Sequence, residues 1–276
     1  MRHPGLRPCL ALGAAMLALT AVSPADAVPP PGHDRWTPTT ADRLHLQFQG
    51  PLDVPDWATL VEVDGADTTT SQVRDLRQRG LRAACYVSAG TRESWRADAD
   101  RFPAAVVGRR LADWPGERWI DVRRLEALGP IMRDRIAQCA RKGFDAIEFD
   151  NVDGWTNDTG FAITRADSRR YLRWLIDQGH RHGLAVGLKN ALGLVRDLAD
   201  EVDWALNEQC VQYDECGRYA PLVRRGIPVF VLEYRGSQAR MCGVAAREGV
   251  IAQMKRLSLD AWTRPCLGAR GGVVRE

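Results

Sequence analysis

Two patterns alternate along this chain. Short apolar runs with strand-like alternation are separated by longer polar stretches in which apolar residues recur about every three or four positions, the spacing of a helix face. The strand-like runs are HLQFQ (45–49), LVEVD (60–64), AACYVS (83–88), AIEFD (146–150), AVGLK (185–189), WALNEQ (204–209), VFVLEY (229–234) and LSLDAW (257–262). Four of them follow one signature, in which a basic residue or histidine precedes a glycine, an apolar residue and then the run. The glycines are Gly80, Gly143, Gly183 and Gly226. The physical reading is a helix closed by a left-handed glycine, with cations near its carbonyl end, feeding the next strand. Thr164 to Asp167 resembles a capping box ahead of Leu172, Leu175 and Ile176, and Pro130 suits the first turn of a helix carrying Met132, Ile136 and Cys139.

Eight strands alternating with helices predict an α/β fold, a single-domain (β/α)8 TIM barrel over 36–267, in preference to a doubly wound open sheet. The widest interval, TRESWRADADRFPAAVVGRRLADWPGERWID, reads as an elaborated loop. Ahead of the barrel, Arg2 and Arg7, the apolar run CLALGAAMLALTAV and the small-residue site Ala25-Asp26-Ala27 predict a signal peptide over 1–27 and a secreted product. Residues 28–35 read as a Pro-rich linker and 268–276 as a flexible tail.

Charge and cysteines narrow the chemistry. The formal net charge is +3, and the arginines are scattered rather than striped, which argues against a nucleic-acid surface. Loss of Cys9 with the signal leaves six cysteines, an even set suited to disulfides in an exported chain. Proximity pairs Cys210 with Cys216 and Cys242 with Cys266, leaving Cys85 for Cys139. No CxxC, HExxH, phosphate loop or Gly-x-Ser-x-Gly elbow is present, and DNVDG lacks the spacing of a calcium loop, so no metal or cofactor is expected. The chain is expected to act as a monomer, without a nucleic-acid partner, and without a membrane once the signal is cleaved.

In such a barrel the active site lies at the carboxyl ends of the strands. Asp64, Ser88, Asp150, Lys189, Asn190, Glu208 and Glu233 all fall there. In IEFDNVDGW, alternation puts Glu148 and Asp150 on one face, with Asp150 at the mouth and Glu148 one layer deeper. Asn151 and Asp153 occupy the following turn. Asp150 and Glu208 are candidates for the two carboxyl groups that flank a scissile glycosidic bond. Trp95, Trp114, Trp119, Trp155, Tyr86, Tyr213 and Tyr234 are candidate flat surfaces against which a sugar stacks.

QFQG, CYVSAGTRESWRADADRFP, WPGERWIDVR, GFDAIEFDNVDGW, GLAVGLKN, NEQCVQYDEC and VFVLEY together resemble glycoside hydrolase family 114, the endo-α-1,4-polygalactosaminidase family, from about Trp36 to Cys266. The resemblance implies an endo-acting, retaining hydrolase of α-1,4-linked galactosamine-containing polysaccharide, with Asp150 as nucleophile and Glu208 as acid/base. Asn207, beside Glu208 in NEQC, joins the expected substrate-binding set. A free galactosamine amine is cationic at neutral pH, so a mouth lined by Asp64, Asp150, Asp153, Glu208, Asp214, Glu215 and Glu233 would attract it despite the net charge. The competing readings are a catalytically silent carbohydrate-binding barrel and a metal-dependent hydrolase or lyase using the same acids.

Overall fold

Alternating burial along the strands produces a barrel in the computed structural model, which describes residues 35–267. Numbered in chain order, the strands are β1 (Leu44–Leu46), β2 (Leu60–Asp64), β3 (Arg82–Ser88), β4 (Thr91–Glu93), β5 (Val107–Arg110), β6 (Glu117–Ile120), β7 (Ala146–Asp150), β8 (Ala185–Lys189), β9 (Trp204–Glu208), β10 (Val229–Glu233), β11 (Ile251–Lys255) and β12 (Thr263–Pro265). The main sheet runs β1-β2-β3-β7-β8-β9-β10-β11-β12, parallel except for β12. The helices are α1 (Thr70–Gln78), α2 (Leu125–Lys142), α3 (Arg165–Arg181), α4 (Val195–Leu198), α5 (Ala220–Val223) and α6 (Gln238–Glu248). The expected (β/α)8 architecture is therefore present. The predicted signal peptide, the tail and all of the linker except Arg35 lie outside the described residues. No helix among the described residues is long and apolar enough to cross a membrane.

The helix–glycine–strand rule holds. Gly143 closes α2 at φ 90°, its N–H bonded to Ala140 O, with Arg141 and Lys142 in the last helical turn. Gly80, Gly183 and Gly226 also have positive φ. Two expectations are corrected. Helix α2 begins at Leu125, so Pro130 sits inside it rather than in its first turn. The eighth parallel strand is Ile251–Lys255, not LSLDAW, and it follows a fifth closing glycine, Gly249, at φ 72°. That strand hides in the sequence because its polar positions face inward: Gln253 and Lys255 are buried. Gln253 Nε2 donates to Leu44 O at 2.8 Å, and Lys255 Nζ donates to Asp260 O at 2.5 Å. No backbone ladder joins β11 to β1 among the described residues. The seam is closed by the Gln253 amide and by Leu259 O, which accepts from Phe48 N at 2.9 Å.

Two apolar layers flank the strands. Inside the barrel, Leu44, Leu46, Leu60, Ala84, Ala146, Trp204, Leu206, Phe230 and Leu232 fill the lower half. Gly187 leaves room for the Trp204 indole, which a Cβ at that position would overlap. Outside, Val63, Ile147, Phe149, Val186 and Leu188 pack with Leu76, Met132, Ile136, Leu172 and Leu175 of the helices. The interior thus turns from apolar at the bottom to polar at the top.

Disulfides join Cys85 of β3 to Cys139 of α2, Cys210 to Cys216 after β9, and Cys242 of α6 to Cys266 beyond β12. The first spans 54 residues and by chain-entropy reasoning contributes the most, about 4 kcal/mol.

The interval expected as a loop contains a second sheet, β4-β6-β5, antiparallel throughout. It is tied to the barrel where Ala89 N and Gly90 N donate to Asp150 O, at 3.0 and 3.1 Å, and Ile120 N donates to Gly90 O at 3.0 Å. A Cβ at Gly90 would collide with the Asn151 backbone, so that close approach requires glycine. The sheet stands beside the barrel mouth.

Candidate active site

Three neighbouring strands end in an acid, a base and an acid: Asp150 on β7, Lys189 on β8 and Glu208 on β9. Lys189 Nζ lies 3.4 Å from Asp150 Oδ2, 3.5 Å from Glu208 Oε2 and 3.5 Å from Glu148 Oε1. Each mouth carboxylate also accepts a tyrosine hydroxyl, Asp150 from Tyr86 at 3.1 Å and Glu208 from Tyr234. Asn190 accepts from Glu208 N at 2.9 Å. The residues following these strands, Asn151, Asn190 and Gln209, have φ of 60°, 47° and 69°. Left-handed backbone at three adjacent non-glycine positions is a cost that clusters at functional sites.

The electrostatics follow from burial and from one shared cation. Burial opposes a charge on Lys189, but Asp150, Glu148 and Glu208 around it hold its proton well above the ordinary lysine range. For Glu208, burial works upward, yet the Lys189 ammonium and the bonds from Tyr234 and Asn190 bring it below the usual carboxyl value. One layer down, Glu148 and Glu62 are both fully buried and near each other. Among the described residues, three of their four oxygens, both of Glu62 and Oε2 of Glu148, receive no hydrogen bond from any other group, and the two carboxyls lie within hydrogen-bond reach of each other. A buried pair of that kind is stable only when it keeps protons. Burial accordingly raises Glu62 well above the normal range and pushes Glu148 up to about 8.

That shift fixes a sign. Glu148 retains its proton when folded and releases it when unfolded above its ordinary value of 4.5, so its contribution to stability falls as pH rises from there towards about 8. Glu148→Gln removes that loss. Its unfolding free energy relative to wild type should grow by about 1 kcal/mol or more between pH 5 and pH 8, read by urea titration. A difference that stays flat across the range would show that Glu148 is not the buried proton carrier.

A cavity of about 570 Å³ opens above this row. Asp64, Tyr86, Asp150, Asn151, Asp153, Lys189, Asn190 and Glu208 line it, as do Trp95, Trp114 and Trp119. Asp64 is held by Arg96, which also bonds Glu93 at 2.7 Å, so this acid forms part of the wall. Seven carboxyl groups face two cations, Arg96 and Lys189, across the cavity. A second cavity of about 430 Å³ lies beside α2, but its buried arginines are already engaged, Arg96 by Asp64 and Glu93 and Arg135 by Asp98.

Several expected site residues lie elsewhere. Glu233 points out of the barrel, buried, and accepts from Val211 N at 2.7 Å, which fixes the loop after β9. Asn207 is buried and donates to Asn190 Oδ1 at 3.3 Å, and Ser88 is buried between Thr91 and Asn151. These two support the residues that line the cavity. Glu148 lies beneath it, and Trp155 packs against Gly193. Tyr213 is 60% exposed and, like Asp214 and Glu215, is not part of the lining. The sequence reading missed Glu62, Glu93, Arg96 and Glu117. For Glu62 the signal was present, since LVEVD puts Glu62 and Asp64 on one face. Arg96 and Glu117 reach the cavity only through the folding of the second sheet.

The model of glycoside-hydrolase family GH114 matches residues 25–270. The crystal structure of Aspergillus fumigatus Ega3 in complex with galactosamine is similar at TM-score 0.80 and 30% identity, covering 85% of this chain and 99% of that one. The glycoside hydrolase domain of PelA from Pseudomonas aeruginosa shares the fold at TM-score 0.63 and 16% identity, covering 79% and 95%. No curated protein matches the sequence. With a barrel whose mouth carries two carboxylates about one lysine, and a family match that spans all of the described residues, this protein belongs to glycoside hydrolase family GH114.

Proposed function

We propose that the protein is a secreted, endo-acting hydrolase of α-1,4-linked galactosamine-containing polysaccharide, working with retention of configuration. The observation that carries this reading is the row Asp150–Lys189–Glu208 under a cavity whose carboxyl groups outnumber its cations. A polymer of galactosamine is polycationic at neutral pH and is drawn to such a cavity. The similar Ega3 structure contains galactosamine, which supports the same substrate class.

In the first step Glu208 gives a proton to the glycosidic oxygen while Asp150 attacks the anomeric carbon, so the C–O bond breaks and a glycosyl ester forms. In the second, Glu208 takes a proton from water, which attacks the same carbon and frees Asp150. Lys189 bridges one oxygen of each carboxylate, so those oxygens lie within about 7 Å, a bound compatible with the retaining spacing of about 5–5.5 Å. The depressed Glu208 of the free protein is already in the state that the second step needs. For the first, entry of the sugar must weaken its contact with Lys189 or Tyr234 and exclude water, which returns the proton.

Digestion of defined α-1,4-galactosamine polymers, read by mass spectrometry, tests the reading. The expected result is an early ladder of internal oligosaccharides. Release of monomers alone, or no product from any such polymer, would overturn it.

A further inference from the structure

The second cavity, of about 430 Å³, is walled by three pieces of chain. One is the segment that follows β4, from Trp95 to Arg101. Another is the face of α2 on which Asp134, Gln138 and Arg141 recur at helical spacing, and the third is the turn after β2, Gly65 to Asp67. Each wall is tied to the other two. Arg101 bonds Asp134 at 2.7 Å and Arg135 bonds Asp98 at 2.8 Å, which join the segment to α2. Lys142 Nζ donates to Gly65 O at 2.7 Å and to Ala66 O at 3.0 Å, and Arg96 bonds Asp67 at 3.3 Å, which fix the turn to both. The space is thus preformed, and its volume is that of a small-molecule site.

Its chemistry differs from that of the barrel mouth. Four arginines balance four acids in the lining, and each acid is already held by one of those arginines. Gln138 and Arg141 are exposed and make no side-chain hydrogen bond or ion pair among the described residues, so their donors are open to a ligand. Trp95 lines this cavity and the mouth alike. Its indole is 52% exposed and rests on Gly116, where a Cβ would come within 2.9 Å of the ring. An indole supported behind and open in front is a surface that the flat face of a ligand can cover.

We infer that this cavity is a second carbohydrate site, which takes an uncharged sugar unit of a polymer whose cationic units lie in the mouth. The sugar ring covers Trp95, and its hydroxyls bond the Gln138 amide and accept from Arg141. A lining of balanced charge has no field to draw in an ammonium, whereas the mouth sets seven carboxyl groups against two cations. The cavities share Asp67, Glu93, Trp95 and Arg96 as a dividing wall, so a chain laid over Trp95 reaches both. The inference rests on the proposed galactosamine-containing polymer for the source of the sugar, and not on the roles of Asp150 and Glu208.

The test adds α-1,4-linked galactose trimer to the whole protein, with the mouth saturated by galactosamine. Calorimetry should show the trimer binding at one site. Its Kd should rise about tenfold in the Gln138→Ala/Arg141→Ala double variant, the loss expected for two hydrogen bonds. In wild type the indole N–H resonance of Trp95, identified by its absence in Trp95→Phe, should shift over the same concentrations of trimer. No binding to wild type, an equal Kd in the double variant, or a Trp95 resonance that stays still while the trimer binds would each overturn the inference. Failure to cleave any galactosamine polymer would defeat the hydrolase reading instead, and the galactose titrations would still judge this cavity.

Discussion

Asp150→Asn and Glu208→Gln should each lower hydrolysis of a galactosamine polymer by about a thousandfold or more, with the fold unchanged. Both substitutions keep the shape of the side chain. Tyr86 still has an oxygen to donate to at position 150, and Tyr234 at position 208. What is lost is the charge that forms the ester at one position and the exchangeable proton at the other. The two variants should differ on a substrate with an aryl leaving group. Such a group needs little protonation, so Glu208→Gln should recover much of the first step, whereas Asp150→Asn should stay inactive. The opposite order would exchange the two roles, and full activity in a double variant would end the hydrolase reading.

Lys189→Met should be the most damaging change to stability within the site. The ammonium is only 4% exposed and is bridged to Asp150, Glu208 and Glu148. Its removal leaves the partly buried carboxylates of Asp150 and Glu208 with no counter-charge, a loss of up to about 3–5 kcal/mol at neutral pH. The carboxyl groups respond by taking up protons, so the defect should shrink towards pH 5. Activity should fall with stability, because the positions of Asp150 and Glu208 both depend on the same cation. Urea unfolding at pH 5 and pH 7.5 separates this from a simple packing loss. A deficit independent of pH would mean that the methionine is only misfitting.

The parts of the site legible in the sequence were those fixed by local pattern. Asp150, Lys189 and Glu208 each end a run whose length and alternation identify it as a strand, and the barrel rule sends strand ends to one mouth. Glu233 shows the limit of that rule. Strand β10 is apolar on both faces because it is covered on both, so its letters do not say which parity looks inward. Leu232 faces in, so Glu233 faces out. Strand β11 failed for the opposite reason, since Gln253 and Lys255 hide a buried strand behind polar letters. Glu117 and Arg96 needed the register of β4 against β6, which depends on contacts with Gly90 and Asp150 distant in sequence.

The unlaced seam between β1 and β11 has a consequence for how the barrel moves. A cylinder closed by one amide and one carbonyl is a hoop fastened by a clasp, and local opening begins where the fewest backbone bonds must break. The clasp is not remote from the chemistry, because Leu257, Ser258 and Leu259 belong to the cavity lining. The row of acids on β7 to β9 lies in the laced part of the sheet, on strands joined by continuous parallel ladders. Cys266, bonded through its N–H to Ala252 O and through sulfur to Cys242, pins the chain just beyond the clasp. The disulfide thus fastens the chain beside the seam, on the side of the sheet away from the acids of β7 to β9.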